Sequence, residues 1–433
     1  MSGLLSTVAC VDVGSRSDEV PERPNVLVFV TDDQRAEGTL SVMPNVRRWF
    51  VAEGTRYPNA FATTPLCCPS RASIFSGRYA HNHGVKHNYQ SHELDQSATM
   101  QRYLDDAGYR TAIAGKFLNQ WGAEEPPAHF DRFAIFLEGE YYDRQWNIDG
   151  EVGRLPDYTN DVVRARSLDF LQDFEDAEDV DPWFLYVGTN AGHAPFTAEP
   201  RYAEAPVPPA DGAVVDEVDL SDKPVFGEIR GRTRSIRARQ LRTLMSADDL
   251  VGDVMTWLDD HGELDHTVAI FMSDNGIQWG EHGFTGKRQV YTPSIRVPLF
   301  IRRPAGSATE DDRLAANIDI APTVLDLAGV DEETEFDGSS LVGEYRRDTL
   351  LLEHWDDDET QVWDWASLRT LDYQYVEYYR AGRPPLRNYF DLRRDPDQLR
   401  NLLADGDGDQ GLPLGLLQRR LRGARSCIGA SCP

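Results

Sequence analysis

A chain of 433 residues, 40% hydrophobic and 10% aromatic, is long enough for one large α/β domain and a smaller C-terminal unit. Its formal net charge of −28 excludes nucleic-acid phosphate as a partner, because no basic surface is available to release counterions. A polyanionic substrate would require a locally basic pocket inside this acidic envelope.

Residues 1–23 are small, polar and charged, which predicts disorder. The first ten resemble the tail of a signal peptide, with Ala9-Cys10 as a lipoprotein-type cleavage point; this predicts a secreted or envelope protein, lipid-anchored through Cys10. The continuous β-branched and aromatic run at 25–31 predicts a strand buried on both faces, ending in Asp32-Asp33-Gln34. Pro44 opens a helix that Gly54 closes, and 70–76 and 97–107 are helical in pattern. A strand at 110–114 delivers Lys116; a helix at 159–174 and a strand at 183–187 deliver Asn190 and His193. The stretch 197–233, rich in Pro, Asp and Glu, reads as a lid, a binding loop or disorder. A helix at 234–261 leads to a strand at 267–272, which ends in Ser273-Asp274-Asn275-Gly276. One more strand at 297–301 and a helix at 318–327 complete a βα alternation that predicts a parallel-rich sheet with helices on both faces. Beyond it, strand-like runs at 349–353, 362–368 and 373–379 predict a small antiparallel sheet with a C-terminal helix. The expected organisation is therefore a disordered 1–23, a catalytic domain at 24–339 and a subdomain at 340–433. The Asp-Gly-Asp-Gly-Asp-Gln run at 405–410 lacks the twelfth-position Glu of a calcium loop and reads as a solvated turn. No stretch approaches the ~20 apolar residues of a membrane span.

Five cysteines fall at 10, 67, 68, 427 and 432. The small glycine-containing loop between Cys427 and Cys432 can close a disulfide, which implies an oxidising compartment; the alternative is two free thiols on a frayed tail. Cys67-Cys68 has no Cys-x-x-Cys redox or zinc spacing. Adjacent Cα atoms lie ~3.8 Å apart, shorter than a relaxed disulfide wants. A buried apolar pair is the plain alternative. Cys67 precedes Pro69 and a helical segment, so a nucleophile there would face unpaired N–H groups and the positive end of the helix dipole. Arg71 adds a fixed charge.

In an open α/β sheet the carboxyl ends of the strands line one crevice, so Asp32, Asp33, Lys116, His193, Asp274 and Asn275 can converge. Three carboxylates and an amide offer only oxygen ligands, a set that suits Ca²⁺ or Mg²⁺ rather than zinc. Each alone reads equally as a turn or cap. Lys116 and Lys287 alone could be solvated, and His193 structural. His81 and His83 face a substrate or cap a turn. Trp121, Trp279 and Trp355 stack on a sugar or belong to the core.

The run Leu-Cys-Cys-Pro-Ser-Arg-Ala-Ser-Ile-Phe-Ser-Gly-Arg resembles the maturation motif of type I sulfatases, whose first cysteine becomes formylglycine (3-oxoalanine). Pro-Asn-Val-Leu-Val-Phe-Val-Thr-Asp-Asp-Gln, Gly-Lys-Phe-Leu-Asn, Asn-Ala-Gly-His-Ala-Pro-Phe and Ser-Asp-Asn-Gly follow that family's order across 24–433. The double cysteine, Lys-Arg-Gln-Val-Tyr at 287–291 and the terminal Ser-Cys-Ile-Gly-Ala-Ser-Cys resemble N-acetylglucosamine-6-sulfatase-like members. The resemblance implies an alkaline-phosphatase-like α/β sandwich and a sulfated sugar or glycan as substrate. It implies maturation of Cys67 by a formylglycine-generating enzyme. Metal ligands would be Asp32, Asp33, Asp274, Asn275 and modified Cys67, with Arg71, Lys116, His193 and Lys287 catalytic and Asn119 and His83 as substrate contacts. In the implied mechanism the hydrated aldehyde attacks sulfur, Lys287 or His193 protonates the leaving alcohol, and the second hydroxyl expels sulfate. The chain departs from many arylsulfatases at Leu118, where they carry histidine, and has Ser76 where Thr is commoner. A phosphonate or phosphodiester hydrolase and an inactive carbohydrate-binding relative are the competing expectations.

Overall fold

In the computed structural model of the protein, residues 23–137, 139–177, 181–209, 217, 219–224, 233–330, 335–356, 362–404 and 411–433 are described. The expected N-terminal disorder, the Cys10 anchor, much of the 197–233 loop and the 405–410 run fall outside them.

Eight strands carry the main sheet: β1 (Asn25–Thr31), β2 (Arg110–Gly115), β3 (Arg132–Phe136), β4 (Arg144–Ile148), β5 (Glu151–Leu155), β6 (Trp183–Gly188), β7 (Thr267–Ser273) and β8 (Leu299–Arg302). With the short pieces Thr309–Glu310 and Thr55–Arg56 at one edge, the order continues β8-β7-β1-β6-β2-β3-β4-β5. The run β7-β1-β6-β2-β3 is parallel, and antiparallel strands flank it on both sides. Strand β1 lies in the middle, which is why every residue of its apolar run is buried. Its alternation divides two cores. Val26, Val28 and Val30 pack with Ala72, Ile74 and Phe75 of helix α1 (Cys67–Ser76), while Leu27 and Phe29 face Val163 and Phe170 of helix α2 (Thr159–Glu175) and Leu244 and Val251 of helix α3 (Thr233–Asp260). The layers are those of the alkaline-phosphatase-like sandwich.

The hairpin β4-β5 was not foreseen from the sequence. It turns through Asp149-Gly150, both at positive φ (49° and 93°), the two-residue signal of a tight hairpin. Helix α1 begins at Cys67, three residues before the expected start, with Pro69 inside its first turn. The expected helix at 97–107 divides into a 3₁₀ turn, Gln96–Ala98, capped by Asp95, and an α-helix, Met100–Asp106.

A four-stranded antiparallel sheet follows: β9 (Leu350–His354), β10 (Trp365–Arg369), β11 (Tyr373–Arg380) and β12 (Arg383–Asp391). Strand β12 escaped the sequence reading because it carries Pro384-Pro385, tolerated only at a sheet edge. Helix α4 (Leu414–Ala424) packs on this sheet through Leu417 and Leu421, and Cys427 and Cys432 form a disulfide.

His81 ties this sheet to the segment after α1. Its Nδ1 is 3.0 Å from a Glu353 carboxylate oxygen and its Nε2 3.1 Å from the Cys427 carbonyl, so both ring nitrogens face acceptors. Burial opposes the imidazolium, but Glu353 outweighs it and raises the His81 pKa. The resulting stability is fully present below the unfolded value of about 6.5 and is lost as pH rises through the raised folded value. Urea midpoints should show His81→Gln destabilised by about 1 kcal/mol at low pH and by little at high pH. An unchanged gap between the two pH values would contradict this.

Candidate active site

The carboxyl ends of β1, β2, β6 and β7 and the first turn of α1 meet in one crevice. The β1–β7 register, closing with Thr31 opposite Ser273, sets Asp32 beside Asp274. The loop after β6 packs directly on the Asp32 backbone: the Asp32 amide donates to Ala191 O at 3.1 Å, and a Cβ at Gly192 would lie 2.0 Å from Asp32 O. Only glycine fits there. Asp33 itself sits at φ 62°.

Cys67 is fully buried. Its Sγ lies 3.3 Å from Asp32 Oδ1 and 3.9 Å from Asp33 Oδ1, and Lys287 Nζ is 2.7 Å from the same sulfur. Lys287 also bonds Asp33 Oδ1 at 2.6 Å, and Lys116 bonds Asp32 Oδ2 at 2.6 Å. One turn further along α1, Arg71 Nε donates to Asp274 Oδ2 at 2.8 Å, while its Nη1 reaches Lys116 O at 2.9 Å and Tyr186 Oη at 3.2 Å. Ser70 Oγ donates to Asp274 O and accepts from Asn317 Nδ2 at 2.8 Å, which locks the helix start onto the β7 loop. His193 Nε2 is 3.9 Å from Asp33 Oδ2, and its ring is a third exposed.

Burial would raise the Asp32 carboxyl, but Lys116, His193, Arg71 and Lys287 hold it well below the ordinary range. Asp274 is pushed up by burial and by the Asp32 charge, against Arg71 and Lys116. Burial, then Asp32, pushes the Cys67 thiol far up, so the unmodified sulfur is a protonated, weak nucleophile.

Three buried carboxylates this close repel one another and call for a cation beyond the two lysines. Ligand atoms of Asp32, Asp33, Asp274 and Cys67 all lie within 4.8 Å of one another. Asn275 Nδ2 donates to Asp33 Oδ1 at 2.6 Å, which leaves Asn275 Oδ1 buried without a hydrogen-bond partner among the described residues. An orphaned amide oxygen beside three carboxylates fits a hard divalent cation.

A cleft of about 340 Å³ opens over this cluster, lined by Lys116, Asn119, Arg144, His193, Lys287 and Arg288 among others. None of the described residues lining it is a carboxylate. It is the basic pocket that the acidic chain demanded. Arg144 and Arg288 were not foreseen: Arg144 opens strand β4, which has no apolar signal at its edge, and Arg288 lies in a loop without periodicity beside Lys287. Asn88, also in the lining, accepts the Cys68 amide at 3.1 Å.

All five expected metal-binding positions and all four partner residues converge. His83 does not: it is buried, its Nδ1 accepts the Val85 amide at 3.1 Å, its Nε2 meets Ser73 Oγ at 3.1 Å, and burial lowers its pKa to about 3. It is a neutral turn cap outside the cleft lining. Trp279 is fully buried, Trp121 stacks on His92 at 5.3 Å, and Lys86 lies over Trp355 at 5.0 Å.

A doubly wound sheet with three buried carboxylates at its strand ends, a helix-borne Cys67 and a basic cleft is an arrangement suited to hydrolysing anionic esters. The chain belongs to the sulfatase family, whose profile matches residues 24–330, and a profile of the N-sulphoglucosamine sulphohydrolase C-terminal region matches 280–419. Human N-acetylglucosamine-6-sulfatase is 29% identical, covering 95% of this chain and 86% of that protein. N-acetylglucosamine-6-O-sulfatase of Bacteroides thetaiotaomicron is 25% identical, covering 94% and 88%. A solved structure described as in complex with its substrate D-glucosamine-2-N,6-O-disulfate superposes with a TM-score of 0.79 at 22% identity, covering 92% of this chain and 97% of that one. The protein is a sulfuric ester hydrolase. No helix among the described residues is long and apolar enough to cross a membrane.

Proposed function

We propose that the protein removes sulfate from a sulfated sugar or glycan, with formylglycine at position 67 and Ca²⁺, or Mg²⁺ in its place, held by Asp32, Asp33, Asp274, Asn275 and residue 67. The observation that carries this reading is the orphaned Asn275 oxygen within a cluster of three buried carboxylates that also encloses Cys67. The names of the curated relatives and the glucosamine disulfate of the solved neighbour support a sugar substrate.

When present, the formylglycine hydrate supplies the nucleophilic hydroxyl and the cation supplies Lewis-acid activation. The remaining work falls to this chain's side chains. Lys116 and Lys287 flank residue 67 and neutralise the sulfate oxygens. Lys287 or His193 protonates the departing alcohol, His193 from the exposed side of the cleft. Arg71 fixes Asp274 and steadies residue 67; its Nη2 is buried without a partner among the described residues, free to donate to an added oxygen. Asn119, with a buried and unpartnered Oδ1 at the cleft wall, is positioned for a sugar hydroxyl.

Maturation requires a formylglycine-generating enzyme acting before Cys67 is buried. The Cys427–Cys432 disulfide supports a secreted or envelope location, and the lipid anchor at Cys10 belongs to the same proposal. A screen over sulfated monosaccharides and glycosaminoglycan oligosaccharides, run beside matched phosphate and phosphonate esters, tests the reading. Turnover of a sulfated sugar well above that of its phosphate counterpart is expected; a preference for the phosphorus ester would overturn it.

Chelation should abolish this turnover and lower Tm by several degrees, since a cation at a hundred times its Kd contributes about 2.7 kcal/mol. Added Ca²⁺ should restore both. Full activity in a protein shown by elemental analysis to be metal-free would refute the metal assignment.

A further inference from the structure

A second cavity, of about 260 Å³, lies at the seam between the main sheet and the C-terminal sheet and shares no lining residue with the catalytic cleft. Arg35, Arg296 and Arg369 all line it. Two of these charges are paired, Arg35 with Glu281 and Arg296 with Glu37. Arg369 is 7% exposed and has no carboxylate partner among the described residues. Its Nη1 donates only to neutral acceptors, Gln374 Oε1 at 2.7 Å and Thr292 Oγ1 at 3.2 Å. The Nε atoms of Arg296 and Arg369 are both buried without hydrogen-bond partners among the described residues. Burial and Arg35 lower Arg296, which the third carboxylate of the cavity, Asp397, only partly offsets, and Arg369 is lowered to about 9 by burial and by Arg296.

A buried guanidinium is ordinarily paired, and two that repel each other across a cavity are stabilised by an anion between them. The planar fork of arginine matches a tetrahedral oxyanion, and the cavity is large enough for one such ion with a few waters. The same segment touches the catalytic loops: Ala36 N donates to Arg296 O at 3.1 Å, and Gly276 N to Ser294 O at 2.9 Å. Ala36 and Gly276 lie just after Asp33 and Asn275.

We propose that this seam cavity is a binding site for a small tetrahedral oxyanion, sulfate or phosphate, held by Arg369 and Arg296, which clamps the C-terminal sheet against the loops that carry the metal ligands. Free sulfate is the product of the established reaction, so the site would sense it without touching the reacting ester.

Crystals soaked in selenate and measured at the selenium edge test this directly. An anomalous peak between Arg296 and Arg369 is expected, separate from any peak in the catalytic cleft, which reports on the catalytic reading independently. Arg369→Met should lose the seam peak and keep the cleft one. In solution, sulfate should raise the Tm of the wild type more than that of Arg369→Met, with turnover of a small aryl sulfate unchanged at low sulfate. Arg369→Lys, which keeps the charge and loses the fork, should show an intermediate Tm response; it serves as the solution test if the methionine variant does not fold. No seam peak at selenate concentrations that fill the cleft would overturn the proposal, as would a seam peak retained in Arg369→Met, which marks an adventitious ion only.

Discussion

Cys67→Ala should lower kcat/KM for a sulfate ester by at least about 10⁴-fold, because it removes the atom from which the nucleophile is made. Cys67→Ser should fall nearly as far, since a sulfated serine carries no second hydroxyl on its Cβ and cannot expel sulfate by collapse to a carbonyl. Neither change should unfold the protein. The thiol is small and fully buried, and removing it costs about 1 kcal/mol of packing, far less than the activity lost. Steady-state kinetics beside urea unfolding separates the two effects. A serine variant with wild-type turnover would end the assignment of Cys67.

Asp274→Ala should be the most destabilising single change in the site. Asp274 and Arg71 form an ion pair at 2.8 Å with both side chains fully buried. Asp274 Oδ1 also accepts the amides of Asp33 at 3.1 Å and Asn275 at 2.7 Å. Truncation leaves a buried guanidinium alone, at a cost of about 3–5 kcal/mol. Relief of the repulsion from Asp32 works the other way, but across a polar cluster it is worth about 1–2 kcal/mol and does not win. The double change Arg71→Met, Asp274→Leu should recover much of the lost stability and none of the activity, because replacing both charges removes the unpaired one. A urea midpoint for Asp274→Ala close to wild type would show that Arg71 is compensated elsewhere.

The strands that build the crevice were legible because each is a continuous apolar run, buried on both faces by the parallel arrangement, and each ends in a polar cluster. That pattern places Asp32, Asp33, Lys116, His193, Asp274 and Asn275 at or just beyond strand ends from the sequence alone. The resemblance to sulfatases added Lys287, which reaches the sulfur from a loop with no periodic signal. Edge structure was not legible. Strand β5 is exposed along most of its length, so no apolar alternation marks it, and only the Asp149-Gly150 turn could have revealed the hairpin that carries Arg144. The start of α1 was misplaced because Leu66, its N-cap, makes no side-chain cap bond. From its place after the motif His83 could face a substrate or cap a turn, and its bonds to Val85 and Ser73 are those of a turn cap.

Everything proposed for the chemistry turns on residue 67 being an aldehyde in the active protein. Mass spectrometry of the tryptic peptide spanning 57–71, taken from enzyme with measured sulfatase turnover, reads this directly. The formylglycine mass is expected at Cys67, with Cys68 still a thiol, in a fraction that scales with specific activity across preparations. Fully active protein in which residue 67 is an ordinary cysteine would contradict it.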